Sequence, residues 1–299
     1  MISICIPIYN SDVRTLVHAL KAQADSLNIV YELLLIDDAS TNGCQKLNAS
    51  LATLPKVRYI ELEKNIGRSA IRNLLAKEAT YRYLIFMDSD VQLASPDYVQ
   101  KYYECCREGI VCYGGKTNLP ECPAPECRLR WLYSVKREEP CAAERNLNPN
   151  RSFITYNFLI DKEIFRTVSF DETLKTYGHE DTVFGFRLLE AGIKVVHIDN
   201  PLLYCSFDDS ITFIKKTELG IHNLASFYNN NIENKNGFAA EVRLLRAWKR
   251  LDSINITGFP ALLFRIFRTA MLKNLTGKRP SIFVFDLYKL GYLCSFFEP

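Results

Sequence analysis

The stretch Tyr83-Leu84-Ile85-Phe86-Met87-Asp88-Ser89-Asp90 runs from five apolar residues directly into two carboxylates. An apolar run of that length reads as a strand buried on both faces, as in a parallel sheet. A carboxylate at its end is costly to place unless something pairs with it. The pattern has a precedent upstream, where Leu33–Ile36 ends in Asp37-Asp38. Outward from these two runs, strand-like segments alternate with helical ones. Ile2–Ile8, Tyr31–Ile36, Val57–Leu62, Tyr83–Met87 and a segment near Ile110–Tyr113 read as strands. Val13–Leu27, Cys44–Leu54, Arg68–Ala79 and a segment capped at Ser95-Pro96-Asp97 read as helices. Strand, helix, strand at this spacing means βαβ units and a largely parallel, doubly wound sheet.

Further along, Lys116–Arg151 has many charges and no sustained period, so it reads as an irregular loop or lid. Order returns at Phe153–Ile160, a short helix at Lys162–Thr167, a helix after Gly178-His179-Glu180-Asp181, and a strand at Lys194–Ile198. Beyond Ser210 the pattern is mostly helical. The expected division is an α/β domain over 1–208, with the loop at 116–151 inside it, and a helical extension over 209–299.

The chain has 299 residues, with 37 Lys+Arg against 34 Asp+Glu. A net charge of +3 excludes whole-surface attraction to nucleic acid. The charge is unevenly spread. From Phe238 onward there are ten Lys/Arg and four Asp/Glu, which leaves 27 against 30 for the body. Six of the ten cysteines crowd residues 105–141, but the Cys-x-x-Cys spacing of a zinc site is absent, so they read as plain thiols. Met1 leads directly into Ile2–Ile8 without a basic segment, and the expectation is a cytoplasmic protein with reduced thiols.

In open α/β sheets ligands bind at the carboxyl ends of the strands. Asp37-Asp38, Asp88-Ser89-Asp90 and the helix-opening Glu180-Asp181 fall at such ends. Two carboxylates two residues apart suit one hard divalent cation shared with a ligand's phosphates. Asn65-Ile66-Gly67-Arg68 opens a helix that also carries Arg72, and a helix N-terminus with two guanidinium groups suits a diphosphate.

Five stretches in order resemble the family-two glycosyltransferases of the GT-A fold. They are Ile4–Asn10, Leu35–Thr41, Asn65–Arg68 with Ile71-Arg72-Asn73, Phe86–Asp90, and Tyr177–Asp181 with Gly185 and Arg187-Leu188. They span about residues 2–200. The resemblance implies a Rossmann-like GT-A domain and metal-dependent, inverting transfer of a hexose from a nucleotide sugar, with uracil the usual base. The acceptor it implies is a growing bacterial surface polysaccharide or a lipid-linked oligosaccharide. Pro7 and Tyr9 are implied to line the nucleotide pocket, with Asn10, Asn65 and Ser89 in the same matching stretches. Asp38 is implied to accept from the base, Asp88 to sit by the ribose and metal, and Asp90 to ligate Mg²⁺ or Mn²⁺. Asp181 is implied to be the general base, with Glu180 positioning the acceptor.

Two departures stand out. Where many relatives carry a metal-binding His, this chain has Tyr204, which leaves the metal to Asp90, diphosphate and water. The common Gly of the second motif is Ala39. His197, inside a strand pattern, reads as a core residue, and Thr155, Tyr156 and Asn157 are candidates for the sugar pocket.

Two other readings compete. A nucleotidyltransferase would carry a Gly-rich loop after the first strand, and residues 7–12 contain no Gly. A non-catalytic nucleotide-sugar-binding relative rests on Tyr204 alone. In the tail, Leu262, Leu263, Ile266, Phe267, Ala270 and Met271 fall on one side of a helix and Arg265, Arg268, Thr269 and Lys273 on the other. That pattern suits either peripheral contact with the inner face of the membrane through 259–299 or packing on the catalytic domain.

Overall fold

In the computed structural model, residues 1–174, 178–230 and 232–297 are described. Tyr177, part of the last matching stretch, lies outside them. The chain forms two compact units by internal contacts. Of the described residues, the first unit holds 1–118, 139–174 and 180–206, and the second holds 119–138, 178–179, 207–230 and 232–297.

The first unit is a mixed α/β domain. In chain order its elements begin with β1 (Ile2–Ile8), α1 (Arg14–Ser26), β2 (Tyr31–Asp37), α2 (Cys44–Asn48), β3 (Val57–Glu61), α3 (Arg68–Glu78) and β4 (Tyr83–Met87). Next come β5 (Val91–Leu93), α4 (Tyr98–Glu104), β6 (Val111–Tyr113) and β7 (Lys116–Asn118). After α5 (Arg128–Arg137), which belongs to the second unit, follow α6 (Ala142–Arg145), β8 (Asn157–Asp161), α7 (Glu180–Glu190), β9 (Val196–His197) and β10 (Leu202–Tyr204). The main sheet has the order β3-β2-β1-β4-β8-β6-β9, and β5-β10-β7 form a smaller one. Strands β1, β2, β3 and β4 run parallel, which brings the ends of β1, β2 and β4 to one edge. Ile4, Leu34, Ile85 and Phe86 are fully buried, as residues covered on both faces must be.

The sheet is mostly parallel, as expected, with strand β8 antiparallel to both β4 and β6; an apolar run carries no mark of direction. The segment 116–151 is not structureless, since it contains β7, α5 and α6. Thr155, Tyr156 and Asn157, candidates for the sugar pocket, are all buried.

Asn157 is instead a hub of the core. Its Oδ1 accepts from the Tyr98 and Tyr102 hydroxyls, both at 2.8 Å. Its Nδ2 donates to Gly115 O at 2.7 Å and Asn200 O at 2.9 Å. Gly114 is required beside it, because a Cβ there would collide with Asn200 O and the Tyr102 hydroxyl. Replacing Asn157 by Leu takes their partner from the Tyr98 hydroxyl and Asn200 O, while the Tyr102 hydroxyl keeps the backbone O of residue 157 and Gly115 O keeps the Tyr156 hydroxyl. Each such loss costs on the order of 1–3 kcal/mol, so urea unfolding of Asn157→Leu will show a loss of at least about 2 kcal/mol.

The second unit is helical: α5, α8 (Ser210–Asn230), α9 (Lys235–Glu241), α10 (Arg243–Asp252), α11 (Gly258–Leu275) and α12 (Ile282–Cys294). Leu129, Phe213, Ile214, Phe264, Leu275, Ile282, Phe285 and Tyr288 form its core. Among the described residues no helix is long and apolar enough to cross a membrane.

Candidate active site

The residues singled out in the sequence gather at the carboxyl edge of β1, β2 and β4. Pro7 is half-buried near the end of β1, and Tyr9 just beyond is 51% exposed. Asn10 takes a left-handed conformation (φ 55°), which Asn tolerates better than most residues. From there its Oδ1 accepts from the Thr41 and Asn42 backbone N–H groups at 2.7 and 3.2 Å, clasping the loop after β2. In that loop Ala39 is also left-handed (φ 59°), at a cost of roughly 1 kcal/mol for a residue with a Cβ.

Asp37 is fully buried and locked by the Ser40 N–H and hydroxyl at 2.7 and 2.9 Å. Asp38 accepts from the backbone N–H groups of Ile66 at 2.7 Å and Gly67 at 3.1 Å. Asn65 Nδ2 donates to Asp38 O at 3.0 Å. Gly67 has φ 86°, the left-handed value that turns this loop onto the carboxylate. Burial raises the Asp38 carboxyl above its usual range despite those two bonds. Each oxygen keeps a second lone pair for a ligand donor.

α3 then ties the carboxylates together. Arg72 is 3% exposed; its Nη2 donates to Asp88 Oδ1 at 2.6 Å and its Nη1 to Arg68 O at 3.2 Å. Arg68, one turn earlier, donates from Nη1 to Glu180 Oε1 at 3.2 Å. One helix face thus links the Asp88-Ser89-Asp90 turn to the start of α7. Ser89 O accepts from the Ser11 hydroxyl at 3.0 Å, which fixes the turn against the end of β1. The expected pair of diphosphate-facing arginines is therefore divided: Arg68 lies exposed at the helix start, and Arg72 is committed to holding Asp88.

The charges at this edge are unevenly balanced. Although Asp90 is exposed on one side, desolvation by the protein packed around it and then the Asp88 charge push its carboxyl up to about 6, against the pull of Arg68 and Lys116. Burial also acts to raise Glu180, but Arg68 and Arg72 outweigh it and hold it below the usual range. Burial and then the Glu180 charge push Asp181 up to about 6, although Asp181 Oδ1 accepts from the Thr182 N–H at 2.7 Å. Two neighbouring carboxylates with opposed shifts are the pattern expected of an acid–base pair with separate roles.

Tyr204 ends β10, opposite Val91 of β5 and so one residue from Asp90. The Lys116 ammonium lies over its ring, 3.8 Å from the centroid. Lys116 is a buried cation at this edge that sequence reasoning missed, because nothing in the pattern of 116–151 distinguishes it. His197 is buried, with Arg145 Nε 3.2 Å from Nδ1 and Pro149 O 2.8 Å from Nε2. Burial keeps it neutral, down to about 4.

Among the described residues no cluster of three or more His, Cys, Asp or Glu is placed to hold a metal on its own. Asp88 and Asp90 nonetheless fit a hard cation. They are two oxygen donors on one turn, and Asp90 is exposed, so its carboxylate is open to a cation from solvent. Mg²⁺ and Mn²⁺ sites of this kind take one or two carboxylates and complete their shell with ligand phosphates and water.

The family model for glycosyl transferase family 2 matches residues 3–168. The chain belongs to that family. Chondroitin synthase of Escherichia coli is 24% identical over 68% of this chain and 34% of its own length. The chain spans between 14% and 34% of the length of the first curated relatives it matches. The fold is shared with mannosyltransferase PcManGT from Pyrobaculum calidifontis, solved with GDP-Man and Mn²⁺, at a TM-score of 0.53 and 13% identity over 97% of this chain and 86% of that one. S. aureus TarS 1-349, solved with UDP, gives a TM-score of 0.50 and 16% identity over 98% of this chain and 89% of that one. The sheet described above is thus the GT-A arrangement expected from the motifs, with helices following it in the chain.

Proposed function

We propose that this member of family 2 is an inverting, metal-dependent glycosyltransferase that moves a hexose from a UDP-sugar to a hydroxyl of a growing surface polysaccharide or lipid-linked oligosaccharide. The observation that supports the reading is the Asp88–Arg72–Arg68–Glu180 chain of contacts, which connects the Asp88-Ser89-Asp90 turn to the start of α7. The UDP in the TarS complex and the polymer in the name chondroitin synthase support the donor and acceptor class.

In this reading Pro7, Tyr9 and Asp38 receive the base, and Asn10 and Asn65 shape the loops that hold it. Ser89 and Asp88 lie by the ribose, and Arg68 faces the diphosphate. A divalent cation held by Asp90 and Asp88 would offset the charge on the departing nucleotide diphosphate. Asp181 takes the proton from the acceptor hydroxyl as its oxygen attacks the anomeric carbon. The bond from that carbon to the diphosphate oxygen breaks on the opposite face, and its electron pair leaves with the nucleotide. Glu180, held ionised by Arg68, orients the acceptor, and its charge raises the proton affinity of Asp181 and so strengthens it as the base.

Thermal unfolding with UDP, GDP, CDP or ADP, each with Mn²⁺ or EDTA, tests the donor and the metal together. Ligand at a hundred times its Kd stabilises by about 2.7 kcal/mol. A Mn²⁺-dependent rise with UDP alone is expected. A rise with GDP alone would move the reading to a GDP-sugar, and no rise with any nucleotide would overturn it.

A further inference from the structure

The helical unit carries a surface that sugar transfer does not use. Along α11, Phe259, Leu262, Ile266, Phe267 and Ala270 recur at three- and four-residue steps on one stripe, and all are exposed. Phe259 and Ile266 are each 62% exposed, Leu262 51% and Phe267 49%. The opposite stripe is the packed one: Ala261, Phe264 and Leu275 are buried, and Phe264 meets Tyr288 and Tyr292 of α12 at 5.1 and 5.7 Å between ring centroids. α11 therefore already spends one apolar face on the core and presents a second to solvent. Scattered exposed hydrophobics need no explanation, but a continuous row of this kind marks a contact surface.

Charge identifies the partner. Between Ser253 and Phe285 the chain holds Arg265, Arg268, Lys273, Lys278 and Arg279 and no Asp or Glu. Arg268 turns inward to Glu218 of α8 at 3.1 Å. Arg265, Lys273, Lys278 and Arg279 are exposed, with Lys273 on the apolar stripe near its end. A second copy of this chain fits poorly, because a two-fold contact centred on Ile266 would bring the two Arg265 side chains together. A surface that is both apolar and anionic fits well.

We propose that α11 docks in the interface of an anionic lipid membrane, its axis along the surface and its outer stripe among the acyl chains. At 18 residues the helix is about 27 Å long, enough for some five turns of contact. The cations flank the stripe at the level of the lipid phosphates, as in other interfacial helices.

Co-sedimentation of the full chain with vesicles tests this, using phosphatidylcholine alone and phosphatidylcholine mixed with phosphatidylglycerol. The wild type pellets with the anionic vesicles, less with the neutral ones, and less again in high salt. The double substitution Ile266→Asp, Phe267→Asp weakens binding at least tenfold while leaving the unfolding midpoint and the UDP-dependent shift unchanged. Lys273→Glu with Lys278→Glu weakens binding roughly fivefold per charge on anionic vesicles only. Wild-type protein that stays in the supernatant with both vesicle types overturns the proposal, as does equal binding by the wild type and the Asp double variant. Light scattering that shows a dimer dissolved by the Asp double variant, without vesicle binding, assigns the stripe to a second copy and overturns it as well.

Discussion

Asp181→Asn lowers kcat for sugar transfer by about a thousandfold, within the range that a positioned general base contributes. The side chain keeps its size and its bond from Thr182, so the loss is chemical. The same substitution stabilises the protein. Burial and Glu180 push the Asp181 carboxyl up to about 6, above its unfolded value of roughly 3.9. A carboxyl raised on folding favours the fold below pH of about 4 and loses that contribution as pH rises through about 6. At neutral pH the ionised Asp181 therefore costs on the order of 2 kcal/mol, and a neutral Asn removes the cost. The pH profile follows from the same shift. Wild-type kcat/KM climbs with pH through about 6 and levels above it, because the base must be unprotonated. A variant that is inactive and less stable would point to a structural role instead, and urea unfolding beside the rate measurement separates the two.

Arg72→Met has the second large effect, and it acts first on stability. The guanidinium is buried against Asp88 and Arg68 O, so its removal leaves carboxylates gathered without their cation. Breaking a buried pair from one side costs about 3 kcal/mol or more. Denaturant midpoints report that loss, and UDP binding weakens with it because Asp88 is no longer held. Arg72→Lys restores little of either. A lysine ammonium is a single point and does not span Asp88 and the Arg68 carbonyl as a guanidinium does. Full recovery in the Lys variant would mean that only the charge matters at this position.

The parallel half of the domain was legible from the chain because its physics is local. Apolar runs such as Leu33–Ile36 and Tyr83–Met87 bury both faces, and the acidic residues that follow them mark the edge where β1, β2 and β4 end. The grouping of Arg68, Arg72, Asp88 and Glu180 needed the fold, although the four-residue spacing of the arginines already put them on one helix face. What was illegible depends on distant partners. Strand β7 exists because β10 pairs with it, and Lys116 is placed by the Tyr204 ring. Arg145 finds its bonds at His197 and Ile198 O, far along the chain. Asn157 reads as a candidate for the sugar pocket from its place at the end of 116–157, the stretch whose loop shape governs sugar choice. Its four bonds instead join the core around β6, β8 and α4, and no local pattern announces them.

The most direct test of the account is the configuration of the sugar released when the protein hydrolyses a UDP-α-hexose, followed by proton NMR before the anomers equilibrate. A base at Asp181 opposite a nucleotide held at Asp88 and Asp90 delivers water to the far face, so the β-anomer appears first and Asp181→Asn suppresses it. Release of the α-anomer first would contradict the account, because it would place the attack on the same face as the departing diphosphate.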